Sequence, residues 1–236
     1  MPQPSALANA RRIAGLGLCL LGLVLSPLAH AQSASDSTRS IQVRLHHEAS
    51  VESARLTPER GRLAVQLPSG GPPVLTLSPH DTVTLGRRQS DIYAQHDDAR
   101  LYARSLRLTP ASEAAWSLTH NPESTRTYSG SLHLSRAETG SSVQIVNRVP
   151  LQDYVASVVA AEYGFDDRAG ARAMAVVART YGLFSTKKAF NGEYDHVDGT
   201  ASQVYRGLHG ITDAARSAAR ATRGEILTYE GEPIQA

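Results

Sequence analysis

The chain has 236 residues, 41% hydrophobic and 19% charged, the composition of an ordinary soluble globular protein. Lys plus Arg number 24 against 22 for Asp plus Glu, and without Arg11 and Arg12 the two counts are equal at 22, so charge gives no argument for binding nucleic acid. Cys19 is the only cysteine and lies in an N-terminal apolar run. Without that run there is no disulfide, thiol nucleophile or cysteine metal ligand.

That run reads as an export signal. Arg11 and Arg12 precede "IAGLGLCLLGLVL", followed by Pro27 and a small-residue cleavage signature ending at Ala31. It is short for a membrane span, and polar sequence follows at once. Leu18 before Cys19 argues against a lipoprotein site, which needs a small residue there. Residues 1–31 are therefore expected to be cleaved, leaving an exported protein of the periplasm, cell wall or exterior with no membrane span. Residues 32–40, "QSASDSTRS", are small and polar and read as a flexible linker.

From 41 to about 147 the sequence alternates in short strands: "IQVRL", "LAVQL", "VLTLS", "TVTLG", "SLRLT", "GSLHL" and "VQIVN". Turn signals such as "SGGPP", "SPHD", "TPASE" and "HNPES" separate them. This predicts an antiparallel β-rich region, a sandwich or an open barrel.

After Pro150 the period changes. Leu151, Tyr154, Val155, Val158, Val159 and Glu162 recur at three- and four-residue spacing and predict a helix. Asp166 or Asp167 in "YGFDD" then offers an N-cap for a second helix, "RAGARAMAVVARTYGLFSTKK", in which Gly170 and Gly182 are costs or sites of close approach. "FNGEYDHVDGTASQVYRG" has no period and reads as an extended loop. "ITDAARSAARATRG" predicts a third helix stopped by Gly224, and "EILTYEGEPIQA" a hairpin turning at "EGE". The expected fold class is α+β, an antiparallel β-rich region followed by a helical region that ends in a β-hairpin.

Glu162 is the first candidate for chemistry. A carboxylate at the end of a run of valines and alanines should be partly desolvated, which favours its neutral form and suits a general acid. An exposed glutamate bridged to Arg168 or Arg179 is the alternative. Arg179, in "AVVARTYGL", needs a partner if buried: Glu162, another structural partner, or a substrate carboxylate. His46 and His47 fall in a strand pattern that points them to opposite faces, a poor ligand geometry. His196, between Asp195 and Asp198, could serve a metal or act as a base, or belong to a solvated loop. No G-x-S-x-G, S-x-x-K, P-loop or H-E-x-x-H motif occurs.

Four segments in order, "NRVPLQDYVASVVAAE", "ARAMAVVARTYGL", "DGTASQVYRG" and "AARATRGEILTYEGEPIQA", resemble the SpoIID/LytB domain, the stage II sporulation protein D family of cell-wall proteins. The resemblance covers about residues 125–236. It implies lytic transglycosylase activity on peptidoglycan glycan strands, best known on strands stripped of stem peptides, with Glu162 on the catalytic position and Arg179, Gln203 and Tyr205 expected in or near the site as substrate-binding residues. The runner-up reading is a non-catalytic wall-binding module that enhances a separate N-acetylmuramoyl-L-alanine amidase, which the family name also covers. Three departures matter. Gln152 replaces a frequent glutamate. Ala201 and Ser202 stand where sporulation members often have the His-Cys pair of a metal motif, so neither metal nor other cofactor is expected. The sequence also stops at Ala236, where the family continues into another segment, so the domain is expected to be C-terminally incomplete.

Overall fold

The computed structural model describes residues 39–122, 124–138, 140–186 and 192–236. The expected signal, 1–31, and linker residues 32–38 lie outside the described residues.

Twelve strands come first: β1 (Ser40–Leu45), β2 (Ser53–Arg60), β3 (Leu63–Gln66), β4 (Leu75–Leu77), β5 (Val83–Arg88), β6 (Asp91–His96), β7 (Ala99–Ala103), β8 (Leu106–Pro110), β9 (Ala115–Thr119), β10 (Thr125–Ser129), β11 (Ser131–Arg136) and β12 (Val143–Pro150). Then follow helices α1 (Leu151–Glu162) and α2 (Arg168–Ser185), strand β13 (His196–Val197), helix α3 (Asp213–Ala221) and the hairpin β14 (Thr228–Tyr229) and β15 (Glu232–Pro233). The α+β class expected from the sequence is the one found, including the terminal hairpin, whose turn uses Glu230 and Gly231 at positive φ.

The strands form a seven-stranded sheet in the order β13-β1-β12-β11-β8-β3-β4 and a six-stranded sheet in the order β10-β9-β2-β5-β6-β7. All pairings are antiparallel except β1 with β13. Alternation is the physical reason for most of these strands. In β1, Ile41, Val43 and Leu45 are buried while the residues between them are half-exposed. Leu56, Leu85, Ile92 and Leu118 of the second sheet share one core with Val43, Leu63, Leu108 and Ile145 of the first, and with Leu151, Tyr154, Val155 and Val158 of α1.

Two sequence expectations change here. Ser40 opens β1, and the carbonyl of Arg39 accepts from the Leu151 amide at 3.0 Å, so residues 39–40 belong to the folded body. "YDHVDG" is no solvated loop: His196 and Val197 pair in parallel with Val43 and Arg44, and Asp195, His196 and Asp198 are all buried.

Candidate functional site

β12 and α1 run into each other through Pro150, whose fixed φ near −55° suits the residue before the first helical turn. Leu151 and Tyr154 through Val159 are buried, so this stretch of α1 is a core helix. The helix then leaves its support. Ala160 and Ala161 are half-buried, and Glu162 is exposed. The desolvated glutamate expected from the apolar run is thus corrected: the valines beneath it are buried, and the carboxylate stands in solvent.

Glu162 is nonetheless held. Its Oε1 accepts from the backbone N–H of Val204 at 2.7 Å, while Oε2 bonds to none of the described residues. The loop that donates this bond is itself fixed at each neighbouring residue. Tyr154 Oη donates to Gln203 Oε1 at 2.9 Å, Tyr205 Oη donates to Asn147 Oδ1 at 2.7 Å, and the Arg206 amide donates to Ser157 Oγ at 3.1 Å. Asn147 in turn donates through Nδ2 to the carbonyls of Ser129 and Ser131, at 2.9 and 3.0 Å, across the turn between β10 and β11. Gly207 follows at a φ of 66°, where a Cβ would collide with the carbonyl of Thr127, and the Leu208 amide donates to that carbonyl at 2.7 Å. Segment 203–208 is a strap laid along α1 and β10.

Gln203 and Tyr205 lie inside this framework, 6% and 1% exposed. Tyr205 stacks on Tyr154 with ring centroids 5.7 Å apart and leans on Tyr128 at 6.1 Å. Burial pushes the phenols of Tyr154 and Tyr205 well above the usual tyrosine range, and the Glu162 carboxylate adds to the rise at Tyr154. Both are neutral hydrogen-bond donors at physiological pH. Their chemistry is positional: they place the strap that grips Glu162.

Arg179 is found elsewhere. It is fully buried in α2, and its guanidinium donates to the carbonyls of Ala219 at 2.9 Å and Glu225 at 3.1 Å and to Thr222 Oγ1 at 3.3 Å. It also reaches Gln152 Oε1, at 3.5 Å, on the first turn of α1, at the end opposite Glu162. The substrate-facing position expected for Arg179 is corrected. It satisfies carbonyls at the C-terminal end of α3 and clamps the three helices.

The connection between α1 and α2 completes the surroundings of Glu162. Asp167, one of the two expected caps, accepts from the Ala169 and Gly170 amides, both at 2.9 Å, and from Tyr163 Oη at 3.2 Å. These amide bonds hold its carboxyl below the usual range. Gly170 leaves room for the Tyr163–Asp167 pair: a Cβ there would overlap the Tyr163 hydroxyl, which would have to shift. The same connection presents Phe165, 77% exposed, edge-on to Tyr163 at 5.3 Å. An apolar ring three residues from an exposed carboxylate escaped the sequence reading, because "YGFDD" registers only as a turn.

The histidines sit apart from this face. β1 ends at Leu45, so His46 and His47 occupy a turn, with His46 at a φ of 53°, not a strand. Asp198 caps that turn: it accepts from the His46 amide at 2.8 Å, the His47 amide at 3.3 Å and His47 Nδ1 at 2.9 Å. His196 Nε2 lies 3.2 Å from the Gly182 carbonyl. These bonds fasten "YDHVDG" to β1 and α2.

Residues 139–229 match the family model described as stage II sporulation protein, SpoIID. Neither a curated protein nor a solved structure matches the chain.

Proposed function

Because this chain carries a SpoIID domain, a domain of cell-wall-related sporulation proteins, we propose that it is an exported lytic transglycosylase that cuts peptidoglycan glycan strands with Glu162 as its acid. The single observation that carries this reading is the state of Glu162: exposed, fixed through Oε1, and with Oε2 unengaged by the described residues. A side chain held by one oxygen keeps the other aimed at a ligand without ordering cost at binding.

The chemistry needs one carboxyl. Glu162 donates its proton to the glycosidic oxygen between N-acetylmuramic acid and N-acetylglucosamine as the C1–O bond breaks. The C6 hydroxyl of the same muramoyl sugar forms the new bond to C1, and the Glu162 carboxylate takes the hydroxyl proton. No water enters, the acid is regenerated, and the product is a 1,6-anhydro end. A hydrolase would instead need a second carboxyl across the bond. Asp195 and Asp198, the nearest sequence candidates, are committed to the backbone amides of Gln42 in β1 and of His46 in the turn after it. The desolvation that the fold does not give Glu162 would come from the sugar itself, a strand lying over Phe165 and excluding water from the carboxyl.

The test is incubation of the protein, and of Glu162→Gln, with peptide-stripped peptidoglycan, followed by mass spectrometry for 1,6-anhydro-muramoyl ends. Anhydro ends from the wild type alone are expected. Reducing ends would replace this reading with hydrolysis. The Val204–Glu162 bond also fits a second reading, a non-catalytic wall-binding module serving an amidase, in which Glu162 merely ties down the strap. A folded, wall-binding protein that yields no new ends would select it.

A further inference from the structure

A second polar depression lies at the other end of α1. Eleven residues separate Leu151 from Glu162, about 16 Å along a helix. At the Leu151 end a cavity of about 850 Å³ opens between the first turn of α1, the turn before β9 and the outer face of α3, within the size range of ligand sites. Four arginines line it: Arg216, Arg220 and Arg223 along and just beyond α3, and Arg60 at the end of β2 on the opposite wall. Glu113 and Asp153 are the only carboxylates in the lining, leaving an excess of two positive charges. Asp153 is already engaged, accepting from Ser129 Oγ at 2.6 Å.

Among the described residues none of the four arginines forms an ion pair. Arg216 and Arg220 lie four residues apart on one side of α3 and Arg223 follows in the turn just after it, so like charges gather at this end of the helix and repel one another. Ala215, Ala218 and Ala219 are the buried residues of α3, while Arg216 is half-buried and Arg220 and Arg223 are exposed. The first turn of α1 adds its own positive end here, without a side-chain cap.

We infer that this groove is a binding site for an oxyanion-bearing glycan strand, separate from the Glu162 face. Guanidinium forks recognise carboxylate and phosphate groups in pairs of hydrogen bonds. Ser112 also lines the groove, and among the described lining residues there is no aromatic ring on which a nucleobase could stack. The identity of the polymer rests on the wall-glycan reading above; the site does not depend on the cleavage chemistry. The oxyanion is either the carboxylate of muramoyl residues or the phosphate of a wall polymer, and both present the same chemistry to arginine.

The experiment is co-sedimentation of the purified protein with peptide-stripped peptidoglycan at about 50 and about 200 mM salt. Arg216→Gln/Arg220→Gln/Arg223→Gln is compared with Arg100→Gln/Arg104→Gln/Arg107→Gln, which removes the same charge from exposed positions on and between β7 and β8. Melting temperatures confirm that both variants fold. The groove variant should bind about tenfold more weakly or worse, the control variant should bind as the wild type does, and wild-type binding should weaken with salt. Glycan whose carboxylates have been converted to amides should lose the same affinity if they are the partner. If amidated glycan still binds and a phosphate-bearing wall polymer competes it away, the groove takes phosphate. Unchanged binding by the groove variant overturns the site, as does duplex DNA competing as well as glycan at equal charge. Arginine-dependent binding without anhydro ends would sink the cleavage reading and leave the groove standing; cleavage with arginine-independent binding would do the reverse.

Discussion

Glu162 and Val204, 42 residues apart, are joined by a 2.7 Å hydrogen bond from a backbone amide to a carboxylate oxygen. The bond links the last residue of α1 to the strap that follows β13. Glu162→Gln keeps an acceptor at Oε1 and so keeps the link, while losing the proton that an acid must donate. We expect its melting temperature to match the wild type and its yield of anhydro ends to fall to background. Glu162→Ala should lose both activity and strap order, the latter seen as faster amide exchange at residues 203–206.

Arg179 should behave as a structural residue. Truncating it leaves the carbonyls of Ala219 in α3 and Glu225 beyond it without their donor, and Arg179→Met should cost about 3 kcal/mol in urea unfolding. Arg179→Lys keeps the charge but cannot reach several acceptors with one fork, so it should recover only part of that loss. Any activity that survives should show an unchanged KM. A raised KM in a fully folded variant would return Arg179 to the substrate.

Tyr205 and Asn147 form a buried pair, and Tyr205→Phe strands the Asn147 oxygen at a cost of about 1–2 kcal/mol. Asn147→Ala should be more damaging, since it also releases the carbonyls of Ser129 and Ser131. Combined, the two changes should be less than additive, and a double-mutant cycle reads the coupling directly.

Stability should fall in mild acid. Burial first, and the neighbouring His120 second, lower the His46 pKa from 6.5 to about 4, with the two rings 4.2 Å apart. Below pH 6.5 the unfolded chain takes up a proton that the folded chain refuses, so stability is complete above about pH 6.5 and is lost progressively as pH falls toward 4. Burial lowers His120 and His196 in the same direction. Asparagine tolerates the positive φ of His46, so His46→Asn should flatten the decline in melting temperature between pH 6.5 and 4. An unchanged slope would remove His46 from the account.

The helices were legible because their signals are local: the apolar stripe of α1, Asp167 at the start of α2, alanines along α3. β1, β3, β4, β5, β8, β11 and β12 fall in stretches that alternate in sequence and were equally plain, whereas β6, β7 and β10 went unread. β9 was missed as well, because Ala115, Trp116, Ser117 and Leu118 are all buried and no face alternates. β2 hid behind Pro58, where its register shifts. The exposure of Glu162 and the burial of Gln203, Tyr205 and Arg179 share another cause. Periodicity tells which side of a helix is apolar, but not how far the supporting surface extends along it, nor which polar residue meets a partner distant in sequence. The motifs gave Glu162 and the strap as separate segments, and the structure joins them through the Val204 amide. Motif spacing could not tell the residue that faces solvent from those that position it.

β1 lies between β12 and β13, and its Gln42 amide bonds to Asp195, 153 residues further on. The segment that the family model covers therefore does not contain its own sheet. Cut out at residue 139, it would keep β12 and β13 but lose β1 between them and β11 on the other side, exposing a strand apolar on both faces along two unpaired edges. Such a fragment should aggregate, and adding residues 39–138 should restore solubility. Evolutionary unit and folding unit have different borders here, and the chain cannot complete its sheet until its last third has been made.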